Sequence, residues 1–161
     1  MPLDHQWIEQ HIPHKGRMCL LDEVLSWDAT RIRCRSASHR ADDNPLRSHG
    51  RLGAACGIEY AAQAMAVHGA LMAASAPLAS TVASSVRGSL GAALGYLASV
   101  RNVVLYVGRL DDLESDLIAV AQRITGDSRT VLYEFSVSSA LQVLLSGRAS
   151  IVFDATSGAH A

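Results

Sequence analysis

The sequence predicts an α+β domain in which an antiparallel sheet wraps around one central, buried helix. Alternating apolar and polar segments stand on both sides of a single long, Ala-rich apolar segment at 52–74. The links between the later alternating segments are only a few residues long, too short for the crossovers that a parallel, doubly wound sheet needs. The 161 residues read as one domain over 1–161. Hydrophobic residues make up 49% and aromatics 5%, so the expected core is large and aliphatic.

At the N-terminus, Asp4, His5, Glu9 and His11 stand where a signal peptide needs an apolar run. Cysteines at 19, 34 and 56 are odd in number and include no Cys-x-x-Cys pair. These observations lead us to expect a reduced, cytoplasmic protein with neither a disulfide framework nor a structural zinc site. Residues 18–27 and 30–38 read as strands; in the second, Ile32 and Cys34 face one way and Arg31, Arg33 and Arg35 the other. Residues 39–51 gather Asp, Asn, Pro and Gly into a loop.

The segment 52–74 is rich in Ala and Met and poor in β-branched residues, which favours a helix apolar around most of its circumference. Glu59, Gln63 and His68 interrupt it, which argues against a membrane span. Residues 75–95, dominated by Ser, Ala and Gly, read as a weakly specified connection. Strands then follow at 96–107, 117–125, 130–138 and 141–153, giving a strand-rich half over 96–154. In the third of these, Val131, Tyr133, Phe135 and Val137 share one face. Of the turn signals between them, Ser139-Ala140 is the weakest.

Charge narrows the function. Fourteen Lys plus Arg against 15 Asp plus Glu leave a net charge of −1 with no basic run, which excludes nucleic acid held by phosphate neutralisation. Gly88-Ser89-Leu90-Gly91 lacks the spacing of a nucleophile elbow, and no dinucleotide-binding glycine pattern follows a strand. Neither His11 with His14 nor His39 with His49 supplies a metal set, so no metal is expected.

Two residues stand out. Glu59 lies four positions before Gln63 on one face of the apolar helix. A carboxylate there pairs with a cation as a structural group, stays protonated, or lines a cavity open to substrate. His14 lies in Ile12-Pro13-His14-Lys15-Gly16, between a residue that fixes the backbone and one that permits a turn. By itself it reads equally as a surface or capping histidine.

The run from Ile12 to Leu25, with Pro13-His14-Lys15 and Leu20-Leu21-Asp22-Glu23-Val24, resembles the Pro-His-Arg…Leu-Leu-Asp-x-Val signature of hotdog-fold β-hydroxyacyl-acyl carrier protein dehydratases. Gly57-Ile58-Glu59-Tyr60-Ala61-Ala62-Gln63 similarly resembles their helix motif. The wording is most similar to the 3-hydroxyacyl-carrier-protein dehydratases of aryl polyene synthesis. Lys15 stands where the family more commonly has Arg, and Gly53-Ala54 where it has Pro-Gly before the helix.

The resemblance implies a hotdog fold and a homodimer or higher oligomer, or a mixed dimer with a related dehydratase. Its active site would join the His of one subunit to the Glu of its neighbour. Carried over, His14 removes the proton beside the thioester carbonyl and Glu59 protonates the departing 3-hydroxyl, with Gln63 beside it on the substrate. An apolar helix is expected to raise the Glu59 pKa for that task. Backbone N–H groups at Ala54 and Ala55, at the helix start, are the expected oxyanion donors. No cofactor is required. The implied partner is an acyl carrier protein bearing a 3-hydroxyacyl phosphopantetheine, and Lys15, Arg17, Arg47, Arg51 and Arg101 are candidate docking charges for it. Two rival readings keep the fold: thioester hydrolysis with Glu59 activating water, and a non-catalytic partner subunit.

Overall fold

The computed structural model describes residues 2–76 and 95–153. Its elements run α1 (His5–His11), β1 (Glu23–Trp27), β2 (Arg31–Ser36), α2 (Gly57–Ser75), β3 (Gly95–Leu105), β4 (Leu117–Gly126), β5 (Thr130–Ser139) and β6 (Gln142–Phe153). One six-stranded sheet has the order β1-β2-β4-β5-β6-β3 with every neighbouring pair antiparallel. It curves around α2, which packs on β2, β4 and β5. This is the hotdog architecture.

The core follows the alternation. Ile32 and Cys34 of β2 and Val131, Tyr133, Phe135 and Val137 of β5 are buried against α2. Burial pushes the Cys34 thiol up to about 12, so it behaves as a small apolar group. On the outer side, Arg35 is paired with Glu23 at 2.7 Å and Asp116 at 2.9 Å. Short hairpins are closed by aspartates: Asp28 Oδ1 accepts from the Thr30 and Arg31 amides, and Asp127 Oδ1 from those of Arg129 and Thr130.

Several expected boundaries shift. The first strand begins at Glu23, because Gly16–Met18 forms a 3-10 turn and Cys19–Leu21 enter the core before pairing starts. The α-helix begins at Gly57, preceded by a 3-10 turn at Ala54–Cys56. A Cβ on Gly57 would stand 2.5 Å from Leu145 Cδ2, so a side chain there would collide with β6. The connection expected over 75–95 falls almost wholly outside the described residues. Two features lay beyond the sequence reading. Helix α1 forms over His5–His11, where the sequence predicts no element; Asp4 caps it by accepting from the Trp7 amide at 3.0 Å. Strand β3 crosses to the far edge beside β6 instead of pairing with β4, its successor in the chain.

Candidate active site

His14 is presented by the short loop that leaves α1, and that loop is anchored on both sides. Lys15 Nζ donates to the Glu9 and Ile12 carbonyls and so caps the end of α1. Gly16, at φ +59°, turns the chain and donates its amide to Glu9 Oε1 at 2.6 Å. Lys15 is therefore a structural cap. Arg47 is half-buried, tied to the Ala41 carbonyl at 2.8 Å and 3.9 Å from Asp111, whereas Lys15 stays exposed. Arg17, Arg51 and Arg101 are exposed.

Glu59 lies in the first turn of α2, and His14 Nε2 reaches its Oε1 at 3.0 Å. The two meet within one chain, where the resemblance implies two subunits; the α1 loop runs directly over α2 and brings positions 14 and 59 together. Both side chains keep about a third of their surface exposed, 29% and 31%. Burial raises the Glu59 pKa, but hydrogen bonds from His14 and Gln63 outweigh it, and the net shift is downward. This corrects the expectation of a raised pKa: helix apolarity is only one of the influences, and the donors come from elsewhere. A carboxylate can only accept, so His14 Nε2 carries the proton of the contact. His14 Nδ1 is buried with no hydrogen-bond partner among the described residues.

Gln63 is fully buried and its amide is engaged by the chain itself. Its Oε1 accepts from Leu20 N at 2.9 Å, and its Nε2 donates to Met18 O at 2.8 Å and Glu59 Oε1 at 3.1 Å. It fixes the segment after His14 onto α2 and orients Glu59, which is a positioning role in place of the expected substrate contact. Ala54 and Ala55 also stand apart from the pair. Ala54 N already donates to Gly108 O at 3.1 Å, because 52–54 pairs with 108–110, and neither residue borders the cavity beside Glu59. Asp111 supports that pairing by accepting from Leu52 N at 2.9 Å, and Arg109 holds its carboxyl well below the usual range.

The cavity beside the pair has a volume of about 610 Å³. From Glu59 it follows one face of α2 through the half-buried Ala62, Ala66 and Gly69 to the exposed Ala73. At a rise of 1.5 Å per residue that face runs for about 21 Å. Val131, Ile151 and Phe153 line the sheet side, and Arg123 and Ser128 lie on the wall at the β4–β5 hairpin. The sequence reading missed this cavity, though small residues at helical spacing from Glu59 were visible. Among the described residues, no cluster of three or more His, Cys, Asp or Glu side chains is arranged to hold a metal, and no helix is long and apolar enough to cross a membrane.

No curated protein matches the chain. Among solved structures, it is similar to the dehydratase heterocomplex ApeI:P from Xenorhabdus doucetiae, with a TM-score of 0.72 at 21% identity over 97% of this chain and 93% of that one. Zebra fish thioesterase superfamily member 2 gives 0.58 at 13% identity, covering 93% and 95%. The PaaI protein of the E. coli phenylacetic acid degradation operon gives 0.52 at 12% identity, covering 80% of each chain. At these identities the likeness establishes the hotdog fold. The family model described as ApeP-like, ApeP dehydratase, matches residues 6–158, and the chain belongs to the ApeP-like dehydratase family.

Proposed function

We propose that this chain dehydrates 3-hydroxyacyl thioesters, carried on the phosphopantetheine of an acyl carrier protein, to trans-2-enoyl thioesters in fatty acid or aryl polyene-type biosynthesis. The observation that carries the reading is the His14–Glu59 pair, 3.0 Å apart on the wall of a largely apolar cavity, in a chain of a dehydratase family. The working pair holds one proton on His14 Nδ1 and one on the Glu59 carboxyl. The His14 Nε2 lone pair takes the C2 proton, and the electrons of that C–H bond form the C2=C3 double bond. The C3–O bond breaks as Glu59 protonates the hydroxyl, which leaves as water. His14 is then an imidazolium facing a carboxylate, and the proton returns across the contact to restore the working form. The balance needs no cofactor.

The downward shift of Glu59 belongs to the resting pair. A thioester seated between the two groups removes the His14 hydrogen bond and excludes water, and both changes drive the carboxyl pKa upward. Of the candidate docking charges, Lys15, Arg17, Arg51 and Arg101 are the exposed ones available to meet an acidic carrier.

A second reading is a subunit that works only in a dimer, with a copy of itself or with a related dehydratase. Strand β3 is a sheet edge with Tyr96, Val104 and Leu105 exposed by 45–54%, and the Xenorhabdus neighbour is described as a heterocomplex. The test is incubation with 3-hydroxyacyl thioesters on a carrier, following loss of water by mass spectrometry, with His14→Ala and Glu59→Gln alongside. Water loss that falls about 10²–10⁴-fold in each variant supports the proposal. Release of free acyl acid selects a thioesterase. Turnover only after a related dehydratase is added selects the mixed dimer.

A further inference from the structure

Arg123 is out of keeping with its strand. The residues of β4 that face α2 are Leu117, Ala119 and Ala121, all buried and apolar, and Arg123 continues that face directly opposite Tyr133 of β5. It borders the same cavity as His14 and Glu59. Among the described residues it makes no ion pair within 4.0 Å and no side-chain hydrogen bond. Two polar neighbours are otherwise engaged. Asp127 Oδ1 accepts from the amides of Arg129 at 2.7 Å and Thr130 at 3.0 Å and closes the hairpin. The Tyr133 hydroxyl is 2.8 Å from His68 Nδ1, whose ring donates through Nε2 to Asp28 O at 2.8 Å, so the tyrosine donates to the histidine.

The wall that Glu59 and Arg123 share includes Ala62, Ala66, Gly69, Val131 and Ile151. Those five side chains offer no partners to the two amides of a pantetheine arm, whereas they suit a hydrocarbon chain. We propose that Arg123 reads the far end of the acyl chain, selecting substrates whose distal terminus carries a carboxylate or similar oxygen acceptor. A guanidinium on a low-dielectric wall pairs strongly with such a group and gives a methyl end nothing. The inference rests on the dehydratase reading only in assuming that the cavity takes an acyl chain.

The test uses saturated pantetheine thioesters of matched length, ended by a methyl or by a carboxylate; having no 3-hydroxyl, they report binding without dehydration. Titration calorimetry on the intact chain should give at least about tenfold tighter binding of the carboxylate-ended probe, within the strength of one charged hydrogen bond. Arg123→Gln should abolish that preference, Arg123→Lys should keep part of it, and His14→Ala should leave it intact. Matched melting curves for the Arg123 variants exclude misfolding. Equal affinity for the two probes, or a preference that survives Arg123→Gln, overturns the proposal and leaves Arg123 as a stem covering the apolar wall. So does failure of both probes to bind. Repeating the titration with 4′-phosphopantetheine thioesters separates the other anion source: if the phosphate's gain disappears in Arg123→Gln, Arg123 reads the arm and the proposal falls. Absence of dehydration with the preference intact would count against the dehydratase reading alone.

Discussion

Replacing Gln63 by Leu keeps nearly the same volume and removes all three of its hydrogen bonds. The Leu20 amide is left in a fully buried position, which costs about 1–3 kcal/mol. The Met18 carbonyl belongs to a residue 38% exposed, so water takes over part of that loss. The sum is about 2–3 kcal/mol, or a fall in Tm of about 4–12 °C for a chain of this size. Denaturant titration and thermal unfolding measure it. Gln63→Glu makes the sharper comparison, since a carboxylate still accepts from Leu20 but faces Glu59 without donating. Burial and repulsion place its folded pKa above the unfolded value near 4.3. Its native state therefore binds protons that the unfolded state does not, and the variant should lose stability as pH rises through the folded pKa. A cost below about 1 kcal/mol for Gln63→Leu, or a pH-independent Gln63→Glu, would refute the assignment of Gln63 as the clamp between α2 and the His14 segment.

Three further outcomes follow from the packing. Gly57→Ala should lose about 1–3 kcal/mol by denaturant titration, because its Cβ meets Leu145 Cδ2 at 2.5 Å, and Leu145→Ala should relieve the clash in the double variant. Leu141→Gly should gain about 1 kcal/mol in the same assay, since Ala140 at φ 48° and Leu141 at φ 67° form the two-residue β5–β6 turn and Leu141 is fully exposed. Burial lowers the pKa of both His39 and His68. The unfolded chain therefore binds the extra protons, and stability should fall as pH drops from about 6.5 toward the folded values, by at most about 1.4 kcal/mol per pH unit for each histidine. His68→Gln should flatten that acid slope.

The candidate pair was legible because motif order is a property of the chain. Its surroundings were not. Nothing near position 63 reveals that its amide would hold the Met18 and Leu20 backbone, 45 and 43 residues away. The direction of the Glu59 shift depends on His14, again 45 residues distant in sequence, so helix composition alone pointed the wrong way. That Lys15, an exposed charge, also caps α1 depends on the Glu9 and Ile12 carbonyls that folding brings within its reach. The β5–β6 turn was faint because Ala140 and Leu141 adopt left-handed backbone without the Gly or Asn that announces it.

Alternation along β2 and β5, the Ala-rich run of α2 and the short links between the later strands are local patterns. By themselves they determined an α+β chain with an antiparallel sheet and one central helix, and which side of β2 and of β5 is buried. Period and propensity act over a few residues and need no knowledge of the partner. Tertiary structure alone decided that β2 pairs with β4, that β3 crosses to the edge beside β6, and that His14 and Glu59 meet within one chain beside an apolar cavity. Those outcomes depend on which distant surfaces bury most area together and on charges and donors that converge only after folding.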